Sequence, residues 1–315
     1  MKKILLSGVK PTGRPHIGNY FGAMKQFVDL QKKHTCYFMI ADYHGLNMVQ
    51  SREEMLENTI ELAIDYLAIG LNPKESVIFK QSDVSAHTEM AWIFDTITTM
   101  PYLMRAHAYK DAEAKSKDIS VGTFNYPMLM AADILLYNTD VVPVGSDQKQ
   151  HVEIARDTAE KFNRIFGETF KLPKDLILES VKTVPGIDGQ KMSKSYNNYI
   201  SLFAEDDEIE KRVMAIVTDS GSDIPANVYA IHKLFKSESE LRDLYENNKG
   251  KYKILKESLK EDIKDFIRPL REKRKEIAKD RNSVKKILID GAEKAKAKAD
   301  ETLNKAKINI GVKEN

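Results

Sequence analysis

Short apolar runs separated by helical patterns constrain this chain more than any other feature of its sequence. Four of these runs lie in the first half of the chain, at residues 4–6, 36–41, 77–79 and 141–144. Their apolar residues are consecutive and do not alternate with polar ones, so each run predicts a strand that is covered on both faces. Such strands, separated by helices, predict βαβ units and a doubly wound parallel sheet, which is an α/β fold.

The clearest helix between two of these strands begins after Ser51. Ser51 is the predicted N-cap, and Glu54 three residues later fits a capping box. Gly70 supplies the C-terminal stop. The apolar residues between them recur at helical spacing: Leu56, Ile60, Ala63 and Leu67. Because ligands of doubly wound sheets bind at the carboxyl ends of the strands, we expect a site in the turns that follow them.

The strand patterns end near residue 203, and the rest of the sequence has helical periodicity. Apolar residues step by four and three over 255–270, and the Ala- and Lys-rich stretch 283–307 has one apolar face. We therefore predict a sheet domain over 1–202 and a helical bundle over 203–315, with the end of the last helix packed back on the sheet domain. The alternative is that the last helix is a frayed tail, since Ala-Lys repeats bury little surface.

Charge divides the chain in a similar way. Residues 251–315 carry a net charge of +8 and residues 1–250 a net charge of −6, although the whole chain carries only +2. The basic segment predicts either a face that binds a polyanion or a solvated helix surface.

Composition narrows the class of protein and its compartment. A chain with 42% hydrophobic and 30% charged residues is neither disordered nor fibrous. Cys36 is its only cysteine, so an internal disulfide and a thiolate zinc site are excluded, as is typical of a reducing cytoplasmic compartment. The apolar start is too short for a signal peptide, and no run reaches the roughly 18 residues of a membrane span. We expect a protein that is neither exported nor anchored in a membrane.

A nucleotide-binding pattern, Lys-Pro-Thr-Gly-Arg-Pro-His-Ile-Gly-Asn at residues 10–19, follows the first strand directly. Gly13 and Gly18 let the backbone turn and approach a ligand closely. A helix that begins near Ile17 directs its free N–H groups and the positive end of its dipole toward the end of the strand. These features predict a shelf for nucleotide phosphates. Alone, the pattern also fits a strand-to-helix turn in which His16 is merely a cap.

A second motif, Lys-Met-Ser-Lys-Ser at residues 191–195, follows the glycine-containing stretch 185–189. Its two ammonium groups, three residues apart on a loop, suit a charge that appears transiently, such as that of pyrophosphate leaving an attacked α-phosphate. The alternative interpretation is an exposed basic loop, which the presence of the first motif upstream disfavours.

With these two motifs the chain resembles the class I aminoacyl-tRNA synthetases, in which they read His-Ile-Gly-His and Lys-Met-Ser-Lys-Ser. The second motif matches at every position, and the first departs only at Asn19. Length and motif order resemble the small dimeric branch that contains the tryptophanyl and tyrosyl enzymes. The resemblance implies a Rossmann-like catalytic domain over 1–202, a helical domain over 203–315 that binds the tRNA anticodon, a homodimer and a cytoplasmic location.

The stretch 126–136 bears on which amino acid is bound. Met130 and Asp133 lie three apart on one predicted helix face, which pairs a polarizable apolar surface with a carboxylate. An indole suits this pair, because its flat body packs on the thioether and its single N–H requires an acceptor. The resemblance places the substrate-contacting carboxylate of the tryptophanyl enzymes at Asp133. Tyrosyl enzymes usually have Gln in place of Met130, and the alternative for Asp133 is an exposed helix carboxylate.

The resemblance also implies roles for a larger set of residues. The catalytic residues are His16, Lys191 and Lys194. The residues that bind ATP are Lys10, Pro11, Thr12, Gly18, Asn19, Gly145, Ser146, Asp147, Val184, Lys191, Met192, Ser193, Lys194 and Ser195. The residues that bind tryptophan are Leu6, His44, Tyr126, Met130, Asp133 and Gln148. Three of these positions depart from the common pattern of the family, which leaves the pocket shape and the ATP contacts open there: Leu6, Lys10 and Ser146.

The implied reaction joins L-tryptophan to ATP, releases pyrophosphate, and transfers the tryptophanyl group to tRNA(Trp) with release of AMP. Neither step requires a protein nucleophile, so we expect positioning and charge stabilisation, with Mg²⁺ carried on the phosphates and few or no metal ligands from the protein. Three alternatives are a tyrosyl enzyme, a small-molecule adenylyltransferase, and a non-catalytic binding protein. Met130 and residues 149–151 disfavour a tyrosyl enzyme. The complete Lys-Met-Ser-Lys-Ser motif and the basic segment 251–315 disfavour an adenylyltransferase, and the presence of both motifs disfavours a non-catalytic protein.

Overall fold

A single parallel sheet organises the first half of the chain. The computed structural model describes residues 2–114, 118–145, 149–177, 184–218 and 222–314. The strands within these residues are β1 (Ile4–Val9), β2 (Thr35–Ile40), β3 (Ser76–Lys80), β4 (Val141–Val144) and β5 (Lys174–Ile177). They lie in the order β3-β2-β1-β4-β5, and every neighbouring pair is parallel. The predicted α/β class is confirmed. From β1 the chain first adds β2 and β3 on one side and then β4 and β5 on the other, so the switch point of the sheet lies between β1 and β4. Folds of this kind bind ligands at that point.

The four predicted strands are present, and the fifth was not predicted. Residues 36–40 of β2 are all buried, as their continuous apolar pattern requires. β5 has the sequence Lys-Asp-Leu-Ile and pairs only with β4, at the edge of the sheet. An edge strand with charged residues lacks the apolar run that identifies a strand buried on both faces.

Helices surround the sheet and then form the second half of the chain. Those that precede β5 are α1 (Ile17–Asn19), α2 (Lys25–Lys33), α3 (Asp42–Gly45), α4 (Arg52–Ala68), α5 (Ala86–Ile97), α6 (Met100–Leu103), α7 (His107–Ala114), α8 (Val121–Leu136) and α9 (Lys149–Phe166). Those that follow are α10 (Asp206–Met214), α11 (Ala226–His232), α12 (Glu238–Asn247), α13 (Tyr252–Ala278) and α14 (Arg281–Asn309). None of these described helices combines the length and apolar character that crossing a bilayer requires.

At the C-terminus of α4 the predicted glycine stop is present, whereas at the N-terminus only one of the two hydrogen bonds of the predicted capping box forms. The Ser51 hydroxyl oxygen accepts a hydrogen bond from the Glu54 N–H at 3.3 Å. The Glu54 carboxylate accepts from Asn58 instead of returning to Ser51, so the cap is single rather than reciprocal. Gly70, at φ +111°, takes the left-handed conformation just after the helix, which is the C-terminal stop that its position predicted.

Two hydrophobic clusters lie on the two faces of the sheet. The first joins sheet and helix residues such as Phe38 and Tyr66 to residues of the second half such as Val213 and Leu255. The halves therefore share one continuous core. The second cluster contains Leu6, Phe79, Phe94 and Leu135 together with alanines of α14.

The last helix, α14, is an ordered part of this core. Between residues 292 and 306, its side chains Ala295, Ala299 and Ala306 are buried in the second cluster. Gly291 lies so close to β3 that a Cβ atom there would be 1.9 Å from the carbonyl oxygen of Ile78. The alternative of a frayed tail is therefore wrong. The small side chains of α14 let this helix pack closely against the sheet, whereas a larger residue at Gly291 would keep the two apart.

Candidate active site

The first motif forms the turn between β1 and α1, at the carboxyl end of the sheet. His16 is the N-cap of α1: its Nδ1 accepts a hydrogen bond from the Asn19 N–H at 3.2 Å. The Asn19 side-chain oxygen accepts in return from the His16 N–H at 3.1 Å. Asn19, the one departure from the family motif, thus closes a reciprocal cap. The helix that was predicted to begin near Ile17 does so, but a π-helical turn, Tyr20–Met24, separates α1 from α2.

The second motif is held in place by Asn198, a residue that the sequence patterns did not single out. The Asn198 side-chain oxygen accepts from the Ser193 N–H at 2.7 Å, and its amide donates to the Lys191 carbonyl at 3.1 Å and to Asp188 at 2.8 Å. Asn198 is buried, and a Cβ atom on Gly186 would lie 2.4 Å from its side chain. The glycine before the motif therefore makes room for the amide that shapes it.

The two motifs are in direct contact despite their separation along the chain. Lys194 Nζ donates to the carbonyl oxygens of Thr12 at 3.0 Å and Gly13 at 2.8 Å. Next to this contact, the Ile17 N–H donates to the Ile200 carbonyl at 3.0 Å. A cavity of 370 Å³ lies between the motifs, lined by His16, Gly18, Asn19, Val184, Lys191, Met192, Ser193 and Tyr196. Seven of these eight lining residues carry predicted roles, and Tyr196 was missed.

The other residues predicted to bind ATP have different positions. Lys10 does not line this cavity; its Nζ lies 5.7 Å from the centre of the Tyr126 ring. Gly145 directly follows β4. Ser146 and Asp147, and Gln148 of the predicted tryptophan site, lie outside the described residues.

Burial sets the charge states at this cavity. Desolvation, assisted by the nearby Lys194 ammonium, lowers the pKa of His16 to about 4, so the imidazole is neutral at pH 7. Since Nδ1 accepts from Asn19, the ring proton of the neutral form is on Nε2. Burial also lowers the pKa of Lys194, and Asp65 opposes that shift. The cavity lining thus combines the neutral imidazole of His16 with the side chain of Lys191, and the Lys194 ammonium lies beside it on the Thr12–Gly13 turn. Such donors suit phosphate oxygens.

A buried carboxylate, Asp133 of α8, forms a second polar centre. Its side chain is only 3% exposed. The Oδ2 atom lies 2.9 Å from His44 Nε2, while Oδ1 accepts from Gln81 at 2.7 Å and lies 2.6 Å from His87 Nδ1. Burial alone would raise the pKa of Asp133, but His87 and His44 hold it well below its usual range. The alternative of an exposed helix carboxylate is therefore wrong.

The ends of β2 and β3 place two of these partners. Asp42, the first residue of α3, accepts from the Ser82 N–H at 2.9 Å and from the Ser82 hydroxyl. This contact joins α3, which carries His44, to the 3₁₀ turn after β3, which carries Gln81. No local pattern identifies Gln81 or His87, because their relation to Asp133 exists only in the folded chain.

The remaining residues of the predicted tryptophan site lie around this centre. The ring of Tyr126 packs edge-on to His44 at 6.1 Å. Leu6 is buried, and Met130 packs partly buried against the same hydrophobic cluster. The described residues that were assigned to tryptophan therefore lie within β1, on α3 after β2, and along α8. Across the described ranges, no group of three or more His, Cys, Asp or Glu side chains is placed to hold a metal ion.

Known proteins share both the sequence and the fold. Residues 2–282 match the model of a family described as class I tRNA synthetases (W and Y). The tryptophan–tRNA ligase of Fusobacterium nucleatum is 47% identical over 316 residues, which cover 98% of this chain and 97% of that protein. The tryptophan–tRNA ligase of Rhodopirellula baltica is 42% identical, with coverage of 98% and 99%.

Solved structures give the same result. The crystal structure of the tryptophanyl-tRNA synthetase from Campylobacter jejuni, complexed with ADP and tryptophan, superposes with a TM-score of 0.91 at 42% identity. The superposition covers 98% of this chain and 99% of that chain. A tyrosyl-tRNA synthetase from Archaeoglobus fulgidus, at 21% identity and a TM-score of 0.69, shares the fold.

Proposed function

Because the chain belongs to the class I tRNA synthetases of the tryptophan and tyrosine group, we infer that it ligates tryptophan to tRNA. The enzyme activates L-tryptophan with ATP to tryptophanyl-adenylate and pyrophosphate, then transfers the tryptophanyl group to tRNA(Trp) and releases AMP. The observation that carries this proposal is the cavity lined by both motifs, since adenylation requires donors on both sides of one triphosphate. These substrates suit a cytoplasmic location.

We propose that ATP occupies the cavity between the motifs. A carboxylate oxygen of tryptophan attacks the α-phosphorus, the bond from that phosphorus to the bridging oxygen breaks, and pyrophosphate leaves with the electron pair. His16 Nε2–H donates to a phosphate oxygen, while Lys191 and Lys194 neutralise the charge on the departing pyrophosphate. Mg²⁺ enters bound to the phosphates, which is its usual mode in nucleotide sites. The proposed ATP contacts also retain Lys10, Pro11, Thr12, Ser195 and residues 145–147.

We propose that Asp133 accepts the indole N–H of tryptophan. A carboxylate has about four acceptor positions, and Oδ2 has only His44 as a described partner, so it has capacity for one more donor. Met130 and Leu6 supply apolar surface for the ring, and Gln148 remains part of the proposed pocket. Phenylalanine has no donor for this carboxylate, and the hydroxyl of tyrosine extends to a different point, so both are expected to be poor substrates.

Charging of tRNA tests the proposed function. Incubation of the protein with ATP, Mg²⁺, labelled tryptophan and bacterial tRNA is expected to give acid-precipitable tryptophanyl-tRNA. Labelled tyrosine under the same conditions is the control and is expected to give almost none. Adenylate formation without transfer to tRNA would instead support the small-molecule adenylyltransferase.

We propose that the helical segment, including exposed lysines of α14, contacts tRNA. The net charge of +8 in residues 251–315 already includes the carboxylates of that segment, and several of its lysines are paired with them, including Lys286, Lys296 and Lys298. Lys294 and Lys296 of α14 are both exposed. The helix therefore presents fewer available cations than its composition indicates.

Charge reversal checks this tRNA surface. We expect the pair of changes Lys294→Glu and Lys296→Glu to raise the KM for tRNA and to reduce the salt slope by about 1 for each phosphate that is no longer neutralised. The pair Lys32→Glu and Lys33→Glu, on the exposed end of α2, is the matched control. If neither quantity changes relative to the control, this face is only a solvated surface.

We propose a homodimer whose interface lies on α5 and α6. The resemblance implies an interface in the first domain, and the apolar content of seven residues supports it, with ordinary core as the alternative for them: Ile93, Phe94, Ile97, Met100, Tyr102, Leu103 and Met104. Ile93, Phe94 and Leu103 are core residues instead. Trp92 and Met100, by contrast, expose 72% and 66% of their surface, and we propose that these two large apolar side chains are covered in the dimer.

Sedimentation tests the dimer. The double change Trp92→Glu and Met100→Glu is expected to convert a dimer into a monomer at micromolar concentration, because it places charges in an apolar contact. Val312→Glu, at a residue 68% exposed near the end of the chain, is the control and is expected to leave the dimer intact. A wild-type protein that is an active monomer would contradict the proposal.

A further inference from the structure

We propose that Arg274, on α13 of the helical segment, is a positioning residue for the ATP step. In this proposal it holds the Thr12–Gly13 turn, and with it Lys194, through Glu61 and Arg14. The proposal rests on the function inferred above and adds a route by which the helical segment acts on the second motif.

Glu61 of α4 joins three arginines from separate parts of the chain. Its Oε2 atom accepts from Arg14 at 3.1 Å and from Arg274, and its Oε1 atom accepts from Arg281 at 3.1 Å. Burial alone would raise the pKa of Glu61, but Arg274, Arg14 and Arg281 hold it below its ordinary value. One carboxylate thus links the first motif to both long C-terminal helices.

Arg274 has little freedom to move within this arrangement. Its Nε donates to Asp65 Oδ1 at 2.5 Å, and the Asp65 side chain is 1% exposed. Its guanidinium also lies over the Phe203 ring at 5.3 Å. Because Nε and the terminal nitrogen Nη2 of the planar guanidinium bind two different carboxylates, Arg274 fixes the position of Glu61 in a way that a lysine ammonium cannot reproduce.

The other end of the connection is the carbonyl group that holds Lys194. Lys194 Nζ donates to the Gly13 carbonyl, and that carbonyl belongs to the same peptide unit as the N–H of Arg14. Gly13 has φ +89°, a left-handed conformation that favours glycine, so the orientation of this peptide depends on restraints from its neighbours. The pair of Arg14 with Glu61 is such a restraint. Loss of it is expected to misplace both the turn and Lys194.

Arg271 provides a matched control on the same helix. Its side chain is 8% exposed, like that of Arg274. Its described partners are the Ala204 carbonyl, Glu205, Asp206 and Glu272, so it binds α10 and its own helix rather than α4. A change at Arg271 therefore disturbs a buried arginine of α13 without touching the connection to the first motif.

The test compares Arg274→Lys, Arg14→Ala and Arg271→Lys in tryptophan-dependent exchange of pyrophosphate into ATP. We expect Arg274→Lys and Arg14→Ala each to raise the KM for ATP by about threefold to tenfold. The KM for tryptophan is expected to stay close to that of the wild type in all three. Arg271→Lys is expected to leave the KM for ATP unchanged. In the double variant of Arg14 and Arg274 the rise should not exceed that of the larger single change, because both act on one connection.

Several outcomes would overturn the proposal. If Arg274→Lys lowers the Tm but leaves the KM for ATP unchanged, or if Arg271→Lys raises that KM equally, Arg274 has only a structural role. If the two effects multiply in the double variant, the connection does not pass through Arg14. A wild-type protein without tryptophan-dependent exchange would refute the proposed function instead, and calorimetric ATP affinities of the same variants would then decide on Arg274.

Discussion

Replacement of Asp133 with Asn is expected to lower kcat/KM for tryptophan by about a hundredfold or more, the scale for loss of a buried charged partner. The carboxylate is shared by His44, Gln81 and His87, and an amide has only one acceptor oxygen for these contacts and for an indole N–H. The KM for ATP is expected to change little, because Asp133 does not line the cavity between the motifs.

The ratio of kcat/KM for tryptophan to that for tyrosine separates substrate recognition from a structural role. If Asp133 binds the indole N–H, this ratio falls strongly in both Asp133→Asn and Asp133→Ala. Asp95→Asn is a suitable control. Asp95 of α5 accepts at 2.8 Å from Asn125 of α8, the helix that carries Asp133, and has no described contact with Asp133. A ratio that stays at the wild-type value while overall activity falls would mean that Asp133 only holds its neighbours in place.

Lys194→Ala is expected to slow adenylate formation by about a hundredfold or more, since removal of one stabiliser of developing charge costs roughly 2.7–4 kcal/mol. The affinity for tryptophan should remain nearly unchanged, because the ammonium is required only as pyrophosphate departs. Stopped-flow measurement of adenylate formation provides the rate. Lys191→Ala should behave similarly, with an additional loss of ATP affinity if Lys191 also binds the ground state.

One feature of the structure requires a control for this experiment. Lys194 donates to the carbonyls of Thr12 and Gly13, so its removal also frees that turn. Arg14→Ala loosens the turn but keeps the ammonium, and should therefore cost far less rate than Lys194→Ala. Equal losses in the two variants would assign the effect to the turn, and a wild-type rate in Lys194→Ala would refute the catalytic assignment.

The parts of the fold that were predictable depend on local pattern. The buried strands are readable because their apolar residues are consecutive, and Gly70 ends α4 because of its own backbone freedom. β5 was not readable, since a charged edge strand carries no such run. The packing of α14 was partly readable from its alanines, but the closeness that Gly291 permits depends on a contact with β3.

The active site shows the same division. The two motifs are contiguous in sequence, so each is recognisable before folding. Gln81, His87 and Asn198 are not, because each contact that defines them forms between separate elements of the folded chain. The sequence pattern of His16 fits both a helix cap and a residue of the nucleotide shelf, and in the structure His16 caps α1 and also lines the cavity between the motifs. The net charge of residues 251–315 does not identify which lysines are available to a partner, because composition does not reveal which of them are paired.

Exchange of labelled pyrophosphate into ATP, measured with each of the twenty amino acids separately, tests the central claim most directly. The exchange requires only that one amino acid and ATP bind together and form the adenylate reversibly, and it needs no tRNA. We expect rapid exchange with tryptophan and exchange near background with the other nineteen, including tyrosine and phenylalanine. Exchange that is fastest with tyrosine, or that does not depend on any amino acid, would contradict the assignment.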